Sequence, residues 1–425
     1  MERVEDASRI RPDTGVAATS QTPATSTGTV TALERWLAGR MLKAVGDPAV
    51  ELVLWDGQKI AVSDAPPVAQ VHIHDRGALL NLVRDPELEF GEGFSSGRIE
   101  VEGDLVQFLE AVYRNYYRPT ENLAERLLQR FYRPRRPPAN TETRARHNIH
   151  HHYDLGNDFY RLWLDERMLY TCAYFPTPEA TLEQAQVAKL DHVCRKMRLQ
   201  PGERVVEAGC GWGALALHMA RSYGVRVRAF NISQEQLEYA RERARAEGLD
   251  GQVEFVEDDY REIDSPCDAF VSVGMLEHVG TENYGALGRV MARSLKSEGR
   301  GLIHTIGRDR PGPMNSWIER RIFPGAYPPS LQEMMELFEP HRLSVLDVEN
   351  LRLHYALTLR HWLDRFEAVA EKVERRFDAN FVRAWRLYLA GSLAAFSSGH
   401  LQLFQVLFAR SGVNSIPWTR SHLYQ

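Results

Sequence analysis

The chain has 425 residues, 26% charged and 44% hydrophobic, with a net charge of −5. That length suits two or three domains with buried cores, and the slightly acidic balance excludes a global pull toward nucleic acid. No apolar run reaches the ~18–20 residues of a membrane span, and the four cysteines (172, 194, 210 and 267) lack C-x-x-C spacing, which favours a reducing, cytoplasmic compartment. Residues 1–30 lack the apolar segment of a secretory signal; rich in Thr, Ser, Ala and Pro, they read as a disordered tail. Residues 31–130 read as a small α+β domain. Val53–Trp55 and Gln70–Ile73 predict strands, Asp56-Gly57 a turn, Phe90–Phe94 a loop, and Gly97–Gly103 a loop and short strand before a helix from Asp104. Residues 131–147 form a basic, Pro-rich linker. Its arginines suit either a solvated connection or an anionic membrane surface, at about 1 kcal/mol for each basic residue.

The main domain spans 148–425. Val187, Leu190, Cys194 and Met197 lie three or four apart and predict an apolar helix face. A strand then runs into Glu207-Ala208-Gly209-Cys210-Gly211-Trp212-Gly213, followed by a helix beginning near Trp212. Alone, such a turn is compatible with an ordinary tight connection. Its pattern is E-x-G-x-G-x-G, not the G-x-G-x-x-G of a pyrophosphate-binding turn. Glu207 would repel a phosphate and suits a cationic ligand carrying an amino-acid moiety; S-adenosylmethionine, with its ammonium and sulfonium, is such a ligand. The next strand ends at Asn231, where Asn231 and Gln236 are placed to hydrogen-bond ribose hydroxyls. A third ends in Asp258-Asp259-Tyr260, a carboxylate and an aromatic face for adenine, and a fourth leads into Gly274–His278. Four strand ends arriving in order describe a doubly wound, Rossmann-like α/β sheet of the class I methyltransferase kind. Alternation continues to Gly301–Ile306. Trp317–Ser330 interrupts it as an inserted substrate cover, and 354–410 reads as mainly helical.

Several polar residues stand in apolar contexts, each with two readings. His304 lies within a core strand, as a satisfied core histidine or a site residue. Glu277 follows a buried strand, as a helix-start carboxylate or a ligand-facing one. Cys172 sits among aromatics, as a small core hydrophobe or a site residue. Tyr355 reads first as a packing residue with a hydrogen-bonded tip. His147, His150, His151 and His152 lack a nearby cysteine or carboxylate pair at ligand spacing, so no metal is expected.

The segments His152–Tyr160, Tyr170–Phe175, Glu207–Gly213, Leu276–Gly280, Ile303–Ile306, Phe323–Gly325 and His354–Leu359 fall in order along the chain. Together they resemble the cyclopropane-fatty-acyl-phospholipid synthase family, and Gly91–Phe94 with Val101–Asp104 resembles the extra N-terminal domain of its bacterial phospholipid-acting members. The resemblance implies methylene transfer from S-adenosylmethionine to the cis double bond of an unsaturated phospholipid acyl chain, with bound bicarbonate as the base. It implies bicarbonate ligands at Cys172 and Ile306 through backbone and at Glu277, His304 and Tyr355 through side chains. Cofactor contacts are implied at Tyr170, Gly209, Gly211, Asn231, Gln236, Asp259 and Tyr260, beside Glu207. Two positions depart from the pattern: Asn231 stands where some relatives have Thr, and Arg261 where some have Glu. The resemblance gives the N-terminal domain a role in membrane docking or in forming a homodimer, with the enzyme peripheral at the inner membrane face. Tyr170, Tyr174, Phe175, Trp317 and Phe323 are candidates for an aromatic wall that stabilises a carbocation. Loss of a different proton, giving a methylene-branched chain, and a non-catalytic lipid- or cofactor-binding module are the competing readings.

Overall fold

The computed structural model describes residues 28–116 and 155–424. The expectations for most of the N-terminal tail, for the basic linker and for the histidine cluster lie outside the described residues.

The N-terminal domain is a four-stranded sheet of order β2-β1-β3-β4, built from β1 (Val50–Leu54), β2 (Lys59–Ile60), β3 (Ala69–Ile73) and β4 (Ile99–Gly103). β1 and β3 bury alternate residues, as strands with one covered face do. Gly57, at φ 84°, closes the β1–β2 hairpin where Asp56-Gly57 predicted a turn. Helices Arg76–Arg84, Pro86–Ser95 and Leu105–Tyr116 complete the domain, with Asp104 accepting from the Val106 and Gln107 amides at the start of the last. Phe90–Phe94 is helical, not a loop. Asp85 caps that helix by accepting from the Leu88 amide at 3.2 Å, and Pro86 opens it. Its glycines serve close packing: a Cβ at Gly91 would lie 2.2 Å from the Trp317 ring, and one at Gly93 2.5 Å from Ile99.

The main domain carries a seven-stranded sheet of order β10-β11-β9-β8-β5-β6-β7. β5 (Arg204–Ala208), β6 (Arg226–Asn231), β7 (Val253–Glu257), β8 (Cys267–Val273) and β9 (Leu295–Gly307) run parallel. β5 pairs with β6 on one side and β8 on the other, which creates the switch point where such sheets bind ligands. The tail is mainly helical, as expected, but it closes on a strand. After helices Arg352–Ala368 and Ala379–Ser397 the chain forms β11 (Gln402–Arg410), inserted antiparallel between β9 and β10 (Leu343–Asn350). Its run Leu403–Ala409 is buried on both faces, so it carries no alternation to mark it as a strand.

The two domains share one apolar cluster that runs from Leu52 and Phe108 to Trp317, Tyr355 and Trp385. Helix Ala379–Ser397 reaches across the join. Arg383 pairs with Glu100 at 3.0 Å, the Ser397 hydroxyl donates to Glu110 at 2.5 Å, and Arg321 makes two 2.6 Å contacts with Glu92.

Candidate active site

Every residue named from the sequence for the bicarbonate and cofactor sites lines one cavity of about 690 Å³. At the end of β5, Gly209 (φ 82°) takes a left-handed conformation, and a Cβ there would lie 2.9 Å from Met275. Gly213 (φ 79°) starts helix Ala214–Tyr223 and packs where a side chain would meet Phe255 at 2.6 Å. The turn therefore lies flat on the sheet, with Gly209 and Gly211 facing the cavity.

Glu207 is fully buried, and its Oε2 has no hydrogen-bond partner among the described residues. Burial pushes its carboxyl up to about 8, with Lys189 pulling it back. Lys189, itself 1% exposed, also lines the cavity and donates to Thr171 Oγ1 at 2.8 Å. Burial lowers it to about 8, opposed by Asp165, Cys172 and Glu207. Lys189 was missed in the sequence because it falls on the buried face of helix Leu182–Met197, next to Leu190. A lysine one position from an apolar stripe was the available signal.

Asn231 and Gln236 meet each other, Nδ2 to Oε1 at 2.8 Å, and Asn231 Nδ2 also reaches the Gly211 carbonyl at 3.3 Å. Asp259 is buried, and both its oxygens accept from Arg261 at 2.9 Å, so the carboxylate expected to face adenine already carries a cation. The Arg261 guanidinium lies 4.7 Å from the Tyr260 ring centroid. Tyr260 Oη is buried without a partner among the described residues, and burial raises it to about 12. Tyr170 reaches across the cavity to Tyr388, hydroxyl to hydroxyl at 2.8 Å.

Past β8, Glu277 sits in a single 3₁₀ turn, Leu276–His278. Its carboxylate does not cap that turn. Oε1 accepts the Ile306 amide of β9 at 2.6 Å, while Oε2 is buried and unpartnered among the described residues. Burial pushes Glu277 up to about 7, opposed by the Ile306 amide. His304 lies two residues before Ile306 on the same face of β9. Its Nδ1 meets Gln405 Nε2 at 3.0 Å, and its Nε2 is buried without a partner among the described residues. One nitrogen of His304 is thus satisfied in the core and the other is not, among the described residues. Burial lowers its pKa well below the usual imidazole range, so the ring is neutral. Gln405 was missed because its contact depends on β11 pairing with β9, which sets Gln405 opposite His304.

Cys172 is fully buried, its thiol donates to the Ala173 carbonyl at 3.1 Å, and burial pushes that thiol upward, away from nucleophilic use. Tyr355 is buried against Phe396, ring centroids 4.5 Å apart. Of the proposed aromatic wall, Tyr170, Trp317 and Phe323 line the cavity. Tyr174 and Phe175 do not; Tyr174 stacks between His192 and His354, and Phe175 stacks on His361. Aromatic composition alone could not show which rings turn inward.

The Glu207 carboxylate oxygen that has no partner among the described residues, the open space over Gly211 and the Tyr260 ring fit a phosphate-free cationic nucleoside ligand such as S-adenosylmethionine. Residues 140–406 match the mycolic acid cyclopropane synthetase family, and residues 38–122 match a domain of unknown function. The chain is 36% identical to a probable fatty acid methyltransferase of Pseudomonas putida, over 88% of this chain and 96% of that one. It is 41% identical to the cyclopropane-fatty-acyl-phospholipid synthase of Escherichia coli, over 62% of this chain and 68% of that one. Against a tuberculostearic acid methyltransferase of Mycobacterium tuberculosis the identity is 33%, over 91% and 93% of the two chains. A solved mycolic acid cyclopropane synthase, in complex with SAH and CTAB, superposes with a TM-score of 0.59 at 31% identity, covering 62% of this chain and 97% of that one. The matched span, with the Pseudomonas putida and Mycobacterium tuberculosis relatives matched over nearly their full length, makes this chain a member of the cyclopropane synthase family, a class of S-adenosylmethionine-dependent methyltransferases.

Proposed function

We propose that this enzyme transfers a methylene group from S-adenosylmethionine to the cis double bond of an unsaturated phospholipid acyl chain, with bicarbonate as the base, and forms a cyclopropane ring. The observation that carries the reading is a pair of buried atoms, Glu277 Oε2 and His304 Nε2, without a partner among the described residues, in a cavity shared with Cys172, Ile306 and Tyr355. A small planar anion fits this set. With Gln405 donating to His304 Nδ1, the neutral ring carries its proton on Nε2 and offers it to the cavity. Glu277, raised to about 7, is half protonated near neutrality and donates from Oε2 in its acid form. The Ile306 amide is already given to Glu277, so Ile306 acts by holding that carboxyl in place.

When bound, S-adenosylmethionine supplies an activated methyl group and bicarbonate a base for the proton released as the ring closes. Glu207, with Lys189 nearby, binds the ammonium end of the donor. Tyr170, Trp317 and Phe323 face positive charge developing on the acyl chain, worth about 1–2 kcal/mol in a dry site. The same rings keep water from trapping the cation.

The lipid is met from one side of the bilayer in this reading. No described helix is long and apolar enough to cross a membrane. Helix Ala32–Ala44 exposes Leu33 (64%) and Trp36 (59%), with Arg40 over the Trp36 ring, as a surface-seated helix does.

Incubation with S-adenosylmethionine, bicarbonate and vesicles of cis-monounsaturated phospholipid tests the proposal. A gain of one CH2 with upfield ring protons in the NMR spectrum is expected. The same gain with exocyclic methylene protons would assign the methylene-branched outcome instead, the chemistry suggested by the tuberculostearic relative. No gain, with cofactor binding confirmed, would remove the acyl double bond as acceptor.

A further inference from the structure

The catalytic cavity does not end at the main domain. It continues into the N-terminal domain, where Leu42, Val45, Leu52, Val71, Phe108 and Val112 line it. Leu42, Leu52 and Val71 are each 3% exposed, so this extension lies inside the small domain's own core. Phe90 and Gly91 carry the wall across the join, and Gly91 sits directly against Trp317. The shared apolar cluster follows the same path, from Leu52 to Tyr355.

The chemistry of this extension is one-sided. Among the described N-terminal residues that line it, Glu87 is the single charged side chain, and Glu87 accepts from the Ser316 amide at the join. A phosphate-bearing head group would lose its hydration against Leu42, Leu52, Val71 and Phe108, whose side chains offer it no donor; Arg308 and Arg310, which also line the cavity, belong to the main domain. A hydrocarbon chain loses nothing and gains about 0.8 kcal/mol for each CH2 buried. Because the space is continuous with Glu277 and His304, what fills it is the part of a molecule whose reacting centre lies at those residues.

We infer that the N-terminal domain is a receptor for the methyl end of the acyl chain being modified, and sets how far the double bond can lie from that end. This inference rests on the reading above of methylene transfer to an acyl chain. It gives the domain a place in substrate binding, beside any role at the membrane surface.

Photo-crosslinking on the wild-type protein tests it directly. The probe is a phospholipid whose cis-9 chain carries a diazirine near its methyl end. Labelled peptides are expected within residues 41–112. Label confined to residues 155–424 would overturn the inference. So would N-terminal label obtained only when the diazirine sits on the other, saturated chain of the lipid.

A variant adds a functional readout. Val112 is half-buried on helix Leu105–Tyr116, so Val112→Trp should narrow the extension without touching the chemical site. Turnover of a cis-9 chain of eighteen carbons should fall about tenfold, and that of a cis-9 chain of fourteen carbons less than about twofold. Equal losses, or none, would contradict a methyl-end receptor. Should the wild type convert neither lipid, the methylene-transfer reading falls, while the crosslink still decides whether hydrocarbon enters the N-terminal domain.

Discussion

Where β5, β7, β8 and β9 end, the cavity wall carries Glu207, Tyr260, Glu277 and His304, each with a buried polar atom that finds no partner among the described residues. Where the N-terminal domain closes the same cavity, the wall is Leu42, Leu52, Val71 and Phe108, side chains that would suit any core. Folding bears a desolvation cost of roughly 1–3 kcal/mol for each unpartnered group at the first end, and such groups persist when a ligand completes them. The second end costs only unfilled space. One end is therefore built for charge and the other for hydrocarbon. The molecule that fills both joins a polar reaction centre to a long apolar tail.

That contrast can be broken first at its polar end. Glu277→Gln should lower turnover on the order of 10²-fold or more while S-adenosylmethionine affinity stays within about threefold, measured by product mass spectrometry and calorimetry; unchanged turnover would remove Glu277 from the anion site. The same variant has a stability signature. Burial raises the folded-state pKa of Glu277 from 4.5 to about 7, so its stabilising contribution is complete below pH 4.5 and is lost as pH rises through about 7. Glu277→Gln should flatten that part of the Tm–pH profile relative to wild type.

Glu207→Gln should weaken S-adenosylmethionine binding about tenfold and leave lipid chain-length preference alone. In the free protein Glu207 is raised to about 8, and a bound cation favours its ionised form. Binding should then release a proton near neutrality and tighten as pH rises toward 8. Calorimetry in buffers of different ionisation enthalpy reads that proton in the wild type and should find it gone in Glu207→Gln.

At the join between the two ends, Gly91→Ala forces a methyl group into the Trp317 ring. A loss of about 1–3 kcal/mol in stability is expected, visible in thermal melts, although alanine is the better helix former. A neutral or stabilising result would mean that the two domains separate freely at this seam. The smallest effect is expected at the surface: Trp36→Ser should reduce vesicle co-flotation severalfold and leave S-adenosylmethionine binding untouched. Equal flotation would take this helix off the membrane.

Much of the site was legible because its signals are local. The E-x-G-x-G-x-G turn, the residues ending successive strands and the histidine interrupting Leu302–Ile306 are each readable within a few positions, and all of them reach one cavity. Alternation marked β1 and β3. Phe90–Phe94 was misread because two glycines in five residues suggest a loop, whereas their small size serves contact with Trp317 and Ile99, far away or facing back in the chain. The strand at 402–410, closing a mainly helical tail, was not legible because a strand covered on both faces has no period to read.

The sequence by itself determined the parallel strands of the sheet, the cofactor turn and the polar residues at the strand ends, since each depends on backbone geometry and spacing within one element. Tertiary structure alone decided that Gln405 meets His304, that Lys189 stands near Glu207, that Tyr174 and Phe175 turn away from the cavity, and that the N-terminal core opens into the catalytic one. Hydrophobic burial is non-directional. It says which side chains go inside, and only the packing of distant elements settles what they face there.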